Sequence, residues 1–317
     1  MHTRWIETFG LPAFLRNAAR LLFCGIISCL GVFHSNADQL VKFTSATFQP
    51  TPFQTRMARQ RGEEPKIFPG VPIQGFLGRP AGDGPFPAVV LLHGCAGLGL
   101  REREAWSRRL SSWGYVVLAV DSFTTRGIRH TCNRLFSARV NDAYGALEFL
   151  TTLGFVDSRR VALMGFSAGG IAVLQAVQLG AAEALMKQKF QAAIAYYPSC
   201  SVTSGEMAVP TLILVGERDD WTPAAACRKM MEQRSGKGSP VKLIVYPDAP
   251  HAFDAENLKT GISSFGHFLQ YNELAANRSF QDSHVFLSET LGHLRTLDVV
   301  AMGHFCDGTK SIRNRRF

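Results

Sequence analysis

The chain has 317 residues, 46% hydrophobic and 19% charged, with a formal net charge of +9. That composition excludes wholesale disorder and suits one globular domain of generous size or two small ones. The basic residues are scattered, with short runs only at Arg56 to Arg61 and Lys310 to Arg316, and no basic stripe is interleaved with aromatics, so nucleic-acid binding is not expected.

Arg4, Arg16 and Arg20 precede the apolar run LLFCGIISCLGVF, Leu21 to Phe33, and HSNA follows it. A basic n-region, a short h-region and a small-x-small site predict a secretory signal peptide over residues 1–37, cut after Ala37. The run is too short for a comfortable membrane span. An uncleaved anchor, or lipidation at Cys29 in IISC, is the alternative. Export would place Cys95, Cys132, Cys200, Cys227 and Cys306 where cysteines can pair. The expected pairs are Cys200 with Cys227, both near strand ends on one side of the sheet, and Cys95 with Cys132.

QLVKF and IQGFLGRP are predicted antiparallel edge strands, with an exposed loop from Thr51 to Pro69 between them. Six nearly continuous apolar runs follow: AVVLLH (Ala88 to His93), YVVLAVD (Tyr115 to Asp121), RVALMGF (Arg160 to Phe166), AAIAYYP (Ala192 to Pro198), TLILVGE (Thr211 to Glu217) and VKLIVYP (Val241 to Pro247). Such runs suit strands buried on both faces. Helical spacing separates them, through Val140, Ala143, Tyr144, Leu147 and Leu150, and again through Ile171, Leu174 and Val177. The alternation predicts an α/β fold with a mostly parallel sheet covered on both sides. Phe265 to Leu291 reads as a last helix with a kink or break near Ser279. The domain is expected over residues 38–296, with 297–317 a loose tail.

Gly165-Phe166-Ser167-Ala168-Gly169 matches G-x-S-x-G between a strand and a helix, the context of a nucleophile elbow. A serine needs a base, and His251 in YPDAPHAFD is the candidate, after the last strand and before the final helix. His267 and His284 fall in helical patterns and read as surface residues; His93 reads as packing or loop support. The orienting acid is expected from LVGERDDWTP: Asp219 first, Asp220 as fallback. The resulting order, Ser, Asp, His, is that of α/β-hydrolases. An oxyanion site needs two N–H donors: Ala168, after the nucleophile, and Cys95 in HGCAGLG, with Ala96 close behind. No metal-ligand set and no dinucleotide loop is present, so no cofactor is expected.

The stretches IQGFLGRPAGDGPFPAVVLLHGCAG, VVLAVDSFTTRG, RVALMGFSAGG, GERDDWTP, PHAFD and VFLSETL together resemble the dienelactone hydrolase family of α/β-hydrolases. The resemblance implies an eight-stranded, mostly parallel sheet and carries the catalytic roles onto Ser167, Asp219 and His251. Dienelactone hydrolases proper use a cysteine nucleophile and a glutamate in the oxyanion loop. Here those places hold Ser167 and HGCAG, so a general serine carboxylesterase is expected. Arg126 resembles in position a family arginine that holds a substrate carboxylate; a solvent-facing loop arginine is the alternative. Only Ser199 to Val209 separates AAIAYYP from TLILVGE, too little for a helical lid, so an open site for small soluble esters or lactones is expected, with Trp221 lining it. A peptidase or acyltransferase on the same fold, or a catalytically idle binding module, are the competing readings.

Overall fold

The structure is a computed structural model that describes residues 39–50, 52–134 and 136–292. The expected signal segment, the tail and Cys306 lie outside the described residues. Eight strands form one sheet: β1 (Gln39–Thr44), β2 (Pro72–Gly78), β3 (Phe86–Leu92), β4 (Val116–Asp121), β5 (Val156–Phe166), β6 (Ala192–Tyr196), β7 (Thr211–Gly216) and β8 (Val241–Tyr246). Their order is β1-β2-β4-β3-β5-β6-β7-β8. β1 pairs antiparallel with β2, and β2 with β4; every later pairing is parallel.

The helices are α1 (Pro52–Gln60), α2 (Ser107–Ser112, continuing a π turn at Arg101–Trp106), α3 (Arg139–Thr151), α4 (Ala168–Val177), α5 (Ala182–Leu185), α6 (Ala224–Gln233) and α7 (Glu273–Leu291). Alternate residues of the central strands enter two cores. Ala88, Val90 and Leu92 pack with Tyr144, Leu147 and Val173 on one face. Val89 and Leu91 pack with Trp106, Leu110 and Leu287 on the other. Burial on both faces explains why these strands read as unbroken apolar runs.

Three expectations are corrected. The stretch from Thr51 to Pro69 is not all loop: it contains α1, which buries Ala58. The last helix begins at Glu273, not Phe265, because Ile262–Ser264 and His267–Leu269 pair as a hairpin, β9 and β10. Phe265 (φ 52) and Gly266 (φ 86) both adopt left-handed backbone, as a two-residue type I′ turn requires. Phe265, Phe268 and Leu269 imitate helical spacing by coincidence. Nor does α7 break at Ser279. Asn272 caps it by accepting the Ala275 N–H at 3.0 Å, and it runs on for 19 residues. Ser279 and Ser283 lie one turn apart on its buried face, where the Tyr196 hydroxyl bonds to Ser279 O (3.0 Å) and Ser283 Oγ (2.8 Å).

Candidate active site

The sheet delivers Ser167 at the end of β5, where the chain reverses into α4. Ser167 has φ 51, a left-handed position for a non-glycine residue, and such strain concentrates at functional sites. The glycines of the motif permit the reversal. A Cβ on Gly165 would lie 2.5 Å from Gly169 O, and one on Gly169 would lie 2.4 Å from Leu92 O. Strand, turn and helix therefore pass closer than any side chain allows. The Ser167 N–H donates to Tyr196 O at 2.9 Å, tying the turn to β6.

His251 follows β8 and is 2% exposed. Its Nε2 lies 3.0 Å from Ser167 Oγ and its Nδ1 2.7 Å from Asp219 Oδ2. These partners put the imidazole proton on Nδ1, facing the carboxylate, and leave Nε2 to accept from the serine hydroxyl. Asp219 Oδ1 also accepts the N–H groups of Trp221 (3.0 Å) and Thr222 (2.8 Å), so both oxygens of the buried carboxylate have hydrogen-bond partners. A serine activated through an imidazole oriented by such an acid can attack a carbonyl carbon.

Thr222 was not singled out in the sequence. Its Oγ1 lies within 2.9 Å of Asp219 Oδ2, 3.2 Å of His251 Nδ1 and 3.0 Å of Tyr197 O. The signal was the spacing in DDWTP, where Asp219 can accept from the backbone two and three residues on. Tyr197 was missed too. Its ring stands 4.7 Å from the His251 ring at 61°. Its hydroxyl donates to Asp254 Oδ1 at 2.6 Å and accepts from Arg101 at 2.7 Å. Burial raises the Tyr197 phenol well above its ordinary range, so it stays protonated. Arg101 also bonds Glu102, and the Trp106 indole N–H donates to Asp254 Oδ2 at 2.9 Å. This buried network backs the imidazole, and no single motif announced it.

Trp221 lies 5.2 Å from the His251 ring and stacks on His267 at 4.8 Å and 15°. His267 is thus on β10 beside the site, not on a helix. His284 is on α7 as expected, stacked on Trp113 at 4.6 Å. Asp220 belongs to the hairpin, accepting the Phe268 N–H at 3.2 Å.

Arg126 is held in an ion pair with Asp142. Its guanidinium grips Asp142 through two bonds of 2.9 and 2.7 Å and donates to Ser122 O at 2.6 Å. The charge is committed to a buried carboxylate. Arg126 is not a free solvent-facing residue, since its side chain is only 17% exposed.

Ala168 opens α4, so its N–H has no partner within the helix. The loop carrying Cys95 lies alongside: a Cβ on Gly94 would stand 3.7 Å from Ser167 Cβ. Cys95 is bonded to Cys132, and Cys200 to Cys227, the two pairs expected; the disulfide engages the Cys95 side chain and not its backbone N–H. A cavity of about 1010 Å³ opens next to this loop, bounded by Ala96, Gly97, Arg101, Trp106, Ala252 and Phe280. Among the described residues, no group of three or more His, Cys, Asp or Glu is placed to hold a metal, and no helix is long and apolar enough to cross a membrane.

A family model described as the dienelactone hydrolase family matches residues 73–291. A protein of Methylorubrum extorquens named carboxymethylenebutenolidase is 27% identical over 201 residues, 58% of this chain and 69% of that one. A Streptomyces coelicolor protein named bis(hydroxyethyl) terephthalate hydrolase is 32% identical over 150 residues, 45% of this chain and 43% of its own. Among solved structures, a dienelactone hydrolase-like promiscuous phosphotriesterase from metagenomic libraries superposes with a TM-score of 0.56 at 21% identity, covering 81% of this chain and 100% of that one.

Proposed function

This chain belongs to the dienelactone hydrolase family and is a hydrolase of ester or lactone bonds, and on that premise we propose that it is a serine hydrolase working through an acyl-enzyme. The observation that carries this reading is the continuous hydrogen-bonded line from Ser167 Oγ through His251 to Asp219, at 3.0 and 2.7 Å, on a strained elbow.

His251 Nε2 takes the Ser167 proton as Oγ attacks the carbonyl carbon, and Asp219 stabilises the imidazolium. The N–H groups of Ala168 and Cys95 receive the negative oxygen. Collapse expels the alcohol, which leaves with the proton from His251. Water then gives a proton to His251 as its oxygen attacks the acyl-enzyme; the tetrahedral state collapses, Ser167 Oγ leaves with the proton from His251, and the acid is released. Only a single turn, Cys200–Val202, interrupts the connection from β6 to β7, which supports an open site for small soluble esters or lactones, with Trp221 beside His251.

A fluorophosphonate probe tests the reading. The folded chain is expected to label once, at Ser167, and Ser167→Ala is expected to lose both label and turnover. Turnover retained by Ser167→Ala would overturn it. We also propose export to an oxidising compartment, supported by the N-terminal pattern and by two disulfides of a kind rare in reducing compartments. N-terminal sequencing of the exported protein is expected to begin at Asp38; an intact Met1, or free thiols at all four cysteines, argues against it.

A further inference from the structure

The loop that follows β3 is braced from behind by a cation that the proposed reaction does not use. Arg139, the first residue of α3, is 3% exposed. The nearest acid, Asp142, is taken by both Nη atoms of Arg126. Arg139 Nη2 instead donates to Gly94 O at 3.3 Å and Thr131 Oγ1 at 3.2 Å, and Nη1 to Phe136 O at 3.5 Å. Its Nε has no hydrogen-bond partner among the described residues. The rings of Phe123 and Phe136 lie 4.8 and 5.1 Å from the guanidinium carbon. Burial pulls Arg139 down to about 10, with Asp142 opposing and Arg126 adding to the fall. Two arginines thus flank one carboxylate, and the hydrogen bonds of Arg139 go to the loop rather than to that acid.

Gly94 O and Cys95 N–H belong to one peptide unit, and a trans peptide points them in opposite directions. The carbonyl end is held by three donors, one of them the Gly97 N–H at 3.4 Å. Besides Arg139, His93 Nδ1 lies 2.7 Å from Gly94 O, while His93 Nε2 accepts the Ser122 N–H at 3.3 Å, which leaves the proton on Nδ1. Donors on a carbonyl polarise the N–H at the other end of the unit. The next peptide is fixed as well, since Cys95 O accepts the Thr131 N–H at 2.8 Å.

We propose that Arg139 is a positioning residue for the oxyanion site: it pins and polarises the Gly94–Cys95 peptide, so that the Cys95 N–H faces the developing negative oxygen and favours that oxygen over the neutral carbonyl. The inference rests on the serine-hydrolase reading. It differs from a purely structural role in one respect. A brace that only stabilises the fold would not discriminate between ground state and tetrahedral state.

Arg139→Met and Arg139→Lys, in the full chain, test it with a soluble p-nitrophenyl ester and with a trifluoromethyl ketone of the same acyl chain, which adds to a serine to give a tetrahedral oxyanion. Loss of a whole oxyanion donor costs about 100- to 1000-fold in kcat. A donor that is weakened but present predicts a fall of roughly tenfold in Arg139→Met, with KM within about twofold and ketone affinity falling in step with kcat/KM. Lysine is expected to recover several-fold of both. Ketone affinity unchanged while kcat falls, or a lysine variant no better than methionine, overturns the proposal. Should the methionine variant not fold, pH carries the test. A buried lysine facing Arg126, Asp142 and His93 loses its proton below arginine's range, so Arg139→Lys is expected to lose kcat and ketone affinity together between roughly pH 8 and 10. A constant ratio to wild type over that range overturns it. The two readings fail separately. Wild type labelled by fluorophosphonate, with inactive Ser167→Ala and a fully active Arg139→Met, removes only this inference.

Discussion

Asp219 and Asp220 are adjacent in the chain and hold two different structures. Asp219 Oδ2 accepts from His251 Nδ1 at 2.7 Å, whereas both oxygens of Asp220 lie 3.2 to 3.3 Å from the Phe268 N–H on the hairpin. His267 Nδ1 adds a contact of 3.6 Å to Asp220. Asparagine at either position keeps the shape and removes the charge, so the pair separates the roles cleanly. Asp219→Asn is expected to lower kcat by about 10,000-fold, because an amide favours the wrong imidazole tautomer. Asp220→Asn is expected to stay within roughly tenfold of wild type, since its loss loosens a hairpin rather than the base. Steady-state kinetics on one soluble ester checks both, and comparable losses in the two would assign the acid wrongly.

The elbow makes a second contrast, this time in stability. Gly165→Ala puts a Cβ 2.5 Å from a backbone oxygen, while Gly154, after α3, has open space around it. The first substitution has no flexible side chain to push aside and is expected to cost at least about 3 kcal/mol or to abolish folding. Gly154→Ala is expected to be neutral or to stabilise by about 0.4 to 1 kcal/mol through the unfolded chain. Thermal unfolding of the two variants beside wild type measures the difference.

These contrasts also mark where the sequence was readable. Strands buried on both faces are legible, because Val89, Val90, Leu91 and their neighbours must all be apolar. The elbow is legible because its glycines answer a local steric demand. Ser167, Asp219 and His251 were candidates because each lies in the segment that follows the C-terminal end of a strand of the parallel sheet. The hairpin was not legible: Phe265, Phe268 and Leu269 have helical spacing, and only the turn at Phe265-Gly266 contradicts it. Nor was the partner of Arg126. A lone arginine after a strand carries no sign of a buried aspartate 16 residues on, and the same holds for Tyr197, Asp254 and Arg101, which meet only through the tertiary fold.

Arg126→Ala removes the ion pair with Asp142. It leaves Asp142, whose side chain is fully buried, without its bidentate partner, with only the poorly placed Arg139 charge nearby. Removing one member of a buried pair costs about 3 to 5 kcal/mol. Denaturant unfolding is expected to show a loss of that order. The selectivity of the folded variant between neutral and anionic esters is expected to match wild type. A change in that ratio without loss of stability would return Arg126 to the substrate.

The last expectation concerns acid. Burial is the main cause, and the Arg139 charge the second, that lowers His93 to about 4 from its ordinary 6.5. In the unfolded chain the imidazole binds a proton through this interval; in the folded chain it does not. Stability therefore rises with pH wherever the unfolded state holds the extra proton, and it is lost as pH falls from about 6.5 toward 4. The full interval corresponds to about 3 kcal/mol, at roughly 1.4 kcal/mol per unit. His93→Asn retains a side-chain amide and has no proton to gain. Its unfolding free energy, followed by denaturant titration between pH 7 and 4 at constant ionic strength, is expected to fall less steeply than that of wild type by this amount. The carboxylates of the fold lose stability in the same direction at lower pH, so the difference between the two slopes, not either slope alone, is the measurement. Parallel slopes would mean that His93 takes up its proton without leaving the folded state.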